Sequence, residues 1–225
     1  MNPAKMSCMV LTAVMLAMTG CKSSGTGSAS SAAVRSDSNP WFRAATSNSD
    51  VDLNAAAASG ANINAHERGD RSTPLHVAAI AGNENALRFM LSHGAQIDAL
   101  DEDGRPALVM ACHRARTTTA IALIQANADL NLLDGRKQTA LMFAAREGLL
   151  DVVNAMIAAK APLDLQSTDG FTALYFAALH GNTDVVVALR NAGANTTLHD
   201  RRNRTPLDVA RIKHHADVVQ VLGGP

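Results

Sequence analysis

Aromatic side chains are scarce in this 225-residue chain: Phe, Trp and Tyr make up 3%, with a single Trp and a single Tyr. The apolar content, 47% of residues, is therefore mostly Ala, Leu, Val, Ile and Met. Such a composition favours thin layers of closely packed helices, the way solenoids are built. Net charge is missing as well. Lys plus Arg number 20 and Asp plus Glu number 20, and the segment before Cys21 holds one Lys (Lys5) and no acid. From Cys21 onward the balance is about −1, which excludes a global pull toward nucleic acid. Cysteine is limited to Cys8, Cys21 and Cys112. With Cys8 in a leader and Cys21 at its junction, only Cys112 remains, and no intramolecular disulfide is available. No glycine-rich phosphate loop, Gly-x-Ser-x-Gly or paired-Cys metal spacing occurs, so the motifs of nucleotide, serine-hydrolase and zinc chemistry are lacking.

Long hydrophobic runs are also absent. The apolar stretch Met9–Met18 is too short for a membrane span of about 20 residues. It follows Lys5 and leads into small residues, the plan of a secretory signal. Met18-Thr19-Gly20-Cys21 resembles the bacterial lipobox, in which the cysteine becomes the first residue and is acylated. The resemblance implies a signal over residues 1–20 and lipidation at Cys21. Residues 22–39, rich in Ser, Gly, Ala and Thr, then read as a flexible part of a tether over 21–39. Two or more acyl chains hold firmly where one is marginal. Lys22 stands where an Asp would signal inner-membrane retention, so the expected location is the outer membrane facing the periplasm.

What the chain does have is a period. Leu75, Leu108, Leu141, Leu174 and Leu207 are each 33 residues apart, and Ala78, Ala111, Ala144, Ala177 and Ala210 keep the same spacing. Thr73, Thr139, Thr172 and Thr205 precede them, with Pro106 standing in once. Gly82, Gly148 and Gly181 recur, as do Gly94-Ala95 and Gly193-Ala194, altered to Asn127-Ala128 and Lys160-Ala161. Repeats of this length indicate a stacked array.

Thr73-Pro74-Leu75-His76-Val77-Ala78-Ala79, followed by Gly82, an aliphatic helix and Gly94-Ala95, resembles the ankyrin motif from about Trp41 to Leu222. The resemblance implies an all-α ankyrin-repeat solenoid of helix-turn-helix units with short β-hairpin fingers. Its domain would occupy 40–225: a degenerate copy at 41–64, copies at about 65–98, 99–131, 132–164 and 165–197, and a cap at 198–225. One residue is inserted near Glu67–Asp70, because Gly60-Ala61 precedes Gly94-Ala95 by 34. Thr and Pro start the first helix of each unit. The Ala pair allows close approach, and Gly82 and its equivalents turn the chain with positive φ. A left-handed residue is equally expected at Lys160, in the Gly94 register. The 99–131 copy departs most, with Pro106-Ala107 for Thr-Pro, Ala115 for Gly and the weak helix formers Thr117–Thr119, and is expected to be the loosest layer.

No catalytic residue, metal site or cofactor is expected. His76 is the motif His, adjacent His214 and His215 point to different helix faces, and Cys112 falls at the second Ala place as a buried thiol. In the family, partners meet the finger tips and the inner-helix face. The residues that register puts there are Glu102, Asp103, Arg105, His113 and Arg114; Arg136, Gln138, Arg146 and Glu147; Asp169, Phe171, Tyr175 and His180; and Arg201, Arg202, Arg204 and Lys213. Arg105, Arg136 and Arg204 are expected to form a row along the fingers, completed by Phe171, with Arg202 close by. Arg beside Phe and Tyr is the usual composition of a binding hot spot. The expected function is a monomeric, membrane-tethered scaffold for a protein partner of unknown identity, an immunity-type or enzyme-helper lipoprotein. The alternative is an envelope factor binding peptidoglycan or an anionic surface polymer. No nucleic-acid partner is expected.

Overall fold

The computed structural model describes residues 39–223, apart from residue 48. The expected signal, Cys21 and nearly all of the tether lie outside the described residues. Within them are twelve helices: α1 Pro40–Thr46, α2 Asp50–Ala58, α3 Pro74–Ala81, α4 Glu84–Ser92, α5 Ala107–His113, α6 Thr117–Gln125, α7 Ala140–Arg146, α8 Leu150–Ala158, α9 Ala173–His180, α10 Thr183–Asn191, α11 Pro206–Ile212 and α12 Ala216–Gly223. They pair in order into six layers. The odd-numbered helices form an inner row, with α7 between α5 and α9, and the even-numbered ones an outer row, with α8 between α6 and α10.

Each inner helix starts as its sequence requires. The hydroxyls of Thr139, Thr172 and Thr205 accept from the N–H groups of Met142, Tyr175 and Asp208 at 3.3, 3.1 and 3.2 Å. Pro74 and Pro206 occupy first-turn positions where no N–H is needed. The Ala pairs 78–79, 144–145 and 177–178 and Ala111-Cys112 are fully buried, as the close stacking of inner helices demands. In the outer row Val152, Val153 and Met156, and Val185, Val186 and Leu189, supply the buried stripe. Cys112 is enclosed, and burial pushes its thiol up to about 12.

Three left-handed turns recur from repeat to repeat, in register, five of each among the described residues. One ends the inner helix (Gly82, Ala115, Gly148, Gly181, His214), and one follows the outer helix (Gly60, Gly94, Asn127, Lys160, Gly193). The third lies in the finger (Arg71, Gly104, Lys137, Gly170, Asn203). Lys160 has φ 59°, as its register predicts, and Ala115 has φ 53°. The 99–131 copy keeps this geometry, although α5 lacks a side-chain cap because Pro106 replaces Thr. Thr119 is fully buried, its hydroxyl donating to the Arg116 carbonyl at 3.1 Å.

The fingers are turns, not β-hairpins: no strand occurs among the described residues. Four fingers close end to end through a backbone bond, Asp101 N–H to Arg105 C=O at 3.1 Å, with the same bond from Asp134 to Gln138, Ser167 to Phe171 and Asp200 to Arg204 at 3.0 Å. Neighbouring fingers share one further bond each: Glu102 to Asp70, Gly135 to Asp103, Thr168 to Arg136 and Arg201 to Asp169, at 2.7 to 3.1 Å. A second backbone bond spans each of these four turns, from the Gly104, Lys137, Gly170 and Asn203 N–H groups to the Asp101, Asp134, Ser167 and Asp200 carbonyls at 2.8 to 3.1 Å. The N–H groups two and four places after the first finger residue bond its side chain, so no ladder forms between fingers. The first finger closes from Glu67 to Ser72, one residue longer, where the insertion was located.

Candidate partner-binding face

The four fingers from Asp101 onward are each organised by their first residue. Asp101 Oδ1 accepts from the N–H groups of Asp103 and Arg105 at 3.0 and 2.8 Å, and Asp200 Oδ1 from Arg202 and Arg204 at 2.9 Å. Asp134 does the same for Arg136 and Gln138, and the Ser167 hydroxyl for Asp169 and Phe171. Asp101 and Asp200 are buried, and a buried carboxylate needs a charged partner. Arg105 supplies one, with Nη2 2.8 Å from Asp101 and 2.9 Å from Asp103. Arg204 supplies the other, with Nε and Nη2 at 2.8 and 2.6 Å from Asp200 Oδ2. Arg105 and Arg204 thus complete their own fingers and are not the free partner contacts expected of them.

Tyr175 is a second correction. It stands in the register of His76 and is buried, with its hydroxyl donating to Asp200 Oδ2 at 2.8 Å. His76 does the equivalent: its Nδ1 accepts from the Thr73 N–H at 3.1 Å, and its Nε2 donates to the Arg105 carbonyl at 2.9 Å. Both side chains tie an inner helix to the next finger. Burial, then the Asp200 hydrogen bond and charge, push the Tyr175 hydroxyl far up. Burial also pushes the Asp200 carboxyl upward, but the bonds from Arg204, Tyr175 and Arg202 outweigh it and hold it well below the ordinary range.

The expected arginine row needs redrawing. The 33-residue spacing aligns Arg105 with Gln138, Phe171 and Arg204, while Arg136 aligns with Asp103, Asp169 and Arg202. Among the described residues, Arg136, Lys137, Arg201 and Arg202 are exposed and form no ion pair. Beside them on the inner row, His113 stacks on Phe143 with centroids 5.4 Å apart, and the Arg146 guanidinium lies 4.8 Å from the same ring. Arg146 also meets Glu147 at 2.8 Å. Phe171, half-buried, stacks on Tyr175 at 4.5 Å and meets Phe176 edge-on at 5.4 Å. His180 and Lys213 are exposed at the ends of α9 and α11, and Arg114 is half-buried at the end of α5. Burial lowers the His113 pKa, and the charges of Arg146, Arg114 and Arg105 lower it further, a sign of the cationic field on this face.

The sequence profile of the family described as ankyrin repeats (3 copies) matches residues 41–134 and 141–224. This chain is an ankyrin-repeat protein. It is accordingly a protein-interaction scaffold, built from a repeat whose business is binding other proteins. Curated relatives match over shorter stretches. A TRPA1 cation channel homolog of Caenorhabditis elegans is 36% identical over 70 residues, which is 31% of this chain and 6% of that protein. The poly(ADP-ribose) polymerase tankyrase of the same worm is 38% identical over 58 residues, 26% of this chain and 2% of its own length. A putative palmitoyltransferase, ZDHHC13 of Danio rerio, is 35% identical over 51 residues, covering 23% and 8%. The chain therefore spans less than a tenth of the length of these relatives.

Several structural residues of the ankyrin stack escaped the sequence reading. The position after the inner-helix turn reaches back to the preceding layer in four repeats, Leu149 being the apolar exception. Asn83 donates to the Ala45 and Ser47 carbonyls, Arg116 to Ile80, Asn182 to Ala145 and Arg146, and His215 Nε2 lies 3.2 Å from the Leu179 carbonyl. Asp101, Asp134 and Asp200 are likewise finger organisers. In both cases the signal was present as a recurring polar register, hidden by changes of residue type. Among the described residues no three His, Cys, Asp or Glu side chains come together to hold a metal, and no helix is long and apolar enough to cross a membrane.

Proposed function

We propose that this ankyrin-repeat chain is a lipid-tethered scaffold that holds a second protein at the cell envelope. Cys21 would be acylated after removal of residues 1–20, leaving the repeats on the tether 21–39, with the outer membrane facing the periplasm as the location. An immunity-type or enzyme-helper lipoprotein is the form this role would take. The observation that carries the binding half of the reading is the set of unpaired cations at Arg136, Lys137, Arg201 and Arg202 beside the aromatic edge of Phe171. Exposed Arg next to an apolar anchor is the composition of interface hot spots. The tether half rests on Lys5, the short run Met9–Met18 and Met18-Thr19-Gly20-Cys21.

The test uses the full chain expressed in a two-membrane bacterium. The wild type should fractionate with membranes and carry an acylated first residue at Cys21, and Cys21→Ser should leave an unprocessed or a soluble product. Affinity capture from membranes of the native host, read by mass spectrometry, should return a protein in fixed stoichiometry. A wholly soluble wild type with an unmodified terminus overturns the tether. Retention on purified cell wall without any protein partner would favour the envelope-polymer role instead.

A further inference from the structure

Exposed cations without an ion pair stand on three fingers among the described residues: Arg68 and Arg71 on the first, and farther along two pairs separated by one finger. Arg136 and Lys137 belong to the finger preceding α7, and Arg201 and Arg202 to the finger preceding α11. The finger between them, preceding α9, carries exposed Asp169 and half-buried Phe171. Helix layers pack about 8–10 Å apart, which puts the two cation pairs about 16–20 Å apart. An extended chain advances about 3.3 Å per residue and crosses that gap in about five or six residues.

The middle of this edge discriminates. The Asp169 carboxylate has no ion-pair partner among the described residues, although its backbone carbonyl accepts from Arg201. It therefore repels an anion placed midway, since like-charge juxtaposition is costly at an interface. Phe171, its ring supported by Tyr175 and Phe176, offers an apolar contact at the same level. Across these last three fingers the pattern is thus cationic, then acidic with an aromatic, then cationic.

Building on the scaffold reading, we infer that this edge binds an extended acidic segment of the partner protein, with carboxylates about five or six positions apart and an apolar side chain midway. A uniformly charged polymer fits it less well, because it would lay charge against Asp169 and Phe171. The segment's end carboxylates meet Arg136 with Lys137 and Arg201 with Arg202, while its central side chain covers the open edge of Phe171. Arg105 and Arg204 take no direct part, because they are held by Asp101 and Asp200.

The test is fluorescence anisotropy of the detergent-solubilised full chain with labelled synthetic peptides. One peptide has two Glu pairs at that spacing around a central Leu, and an isomer has the same residues with all Glu contiguous. A third carries Glu in place of the Leu, and polyglutamate stands for a uniform polyanion. The spaced peptide should bind at least about fivefold tighter than either the isomer or the Glu-centred peptide. Arg136→Gln with Arg202→Gln should weaken it by about three- to thirtyfold and remove the spacing preference. Lys160→Gln, which removes a charge away from the fingers, should leave binding unchanged. Equal affinity for the peptides, tighter binding of polyglutamate, or no binding of any peptide overturns the inference. The scaffold reading survives such a failure if membrane capture of a protein partner persists and is lost when His113 and Arg146 are replaced by Ala.

Discussion

Replacing Lys160 by Gly should stabilise this protein, because the backbone there is left-handed and the side chain holds nothing in place. Lys160 has φ 59° and is exposed, in the register that Gly94 and Gly193 occupy elsewhere. A residue with a Cβ is disfavoured in that conformation by about 1–2 kcal/mol. Gly gives back about 0.4–1 kcal/mol through its looser unfolded chain, so the net gain is up to about 1 kcal/mol. In a protein of this size that corresponds to a rise of about 2–4 °C. Ala115→Gly, at φ 53°, should act in the same direction. Asn127→Gly should gain less, because Asn tolerates the left-handed region better than Lys or Ala. The reverse change separates strain from crowding. A Cβ on Gly94 meets nothing within 4 Å, whereas one on Gly181 would stand 2.7 Å from His215 Nδ1, so Gly181→Ala should cost more than Gly94→Ala. Urea titrations with an unchanged slope read the differences directly. If Lys160→Gly and Ala115→Gly both melt at or below the wild-type midpoint, the strain argument is wrong.

Tyr175→Phe should destabilise by about 1–3 kcal/mol, since the buried Asp200 carboxylate loses a donor; a cost below a few tenths in urea melts would refute the network. The Asp200 carboxyl is held below its unfolded value, so its stabilisation is present above about pH 4 and is lost as pH falls further. Asp200→Asn should therefore flatten the acid limb of the stability curve. Burial depresses the His76 pKa, so the neutral ring's contribution is complete above about pH 6.5 and declines as pH falls below it. Urea midpoints should drop between about pH 7.5 and about pH 5.5, and less steeply in His76→Gln; an identical slope would mean that His76 titrates alike folded and unfolded. Cys112, buried with its thiol raised to about 12, should resist alkylation in the native state and react only through opening, as peptide mapping of the labelled chain would show.

The repeat made most of this architecture readable in advance. Thirty-three-residue spacing assigned the inner and outer helices, the buried Ala pairs and the left-handed place of Lys160 before any contact was known. The site was less readable, for a physical reason. Register says which residues share a place in the layer but not which side chains already have partners. Arg105 and Arg204 look like surface cations until Asp101 and Asp200 prove to be buried beside them. Tyr175 looks like an anchor for a partner until its hydroxyl is found on Asp200, doing in its layer what His76 does in another. The β-hairpins failed because one backbone bond joins each pair of neighbouring fingers, while within a finger two N–H groups turn onto an Asp or Ser side chain, which leaves no ladder to form.

The central claim is that the finger edge, not the outer helices, is the working face. Its most direct test is capture of the partner from the membranes of the native host by three forms of the full chain. These are the wild type, Arg136→Glu with Arg202→Glu on the fingers, and Asn154→Glu with Gln220→Glu at exposed positions of the outer helices α8 and α12. Surface changes at all four positions should leave the melting curve within about 0.5 kcal/mol of wild type. The finger variant should lose the partner and the outer variant should keep it. Loss of the partner by the outer variant, with capture intact in the finger variant, would contradict the claim.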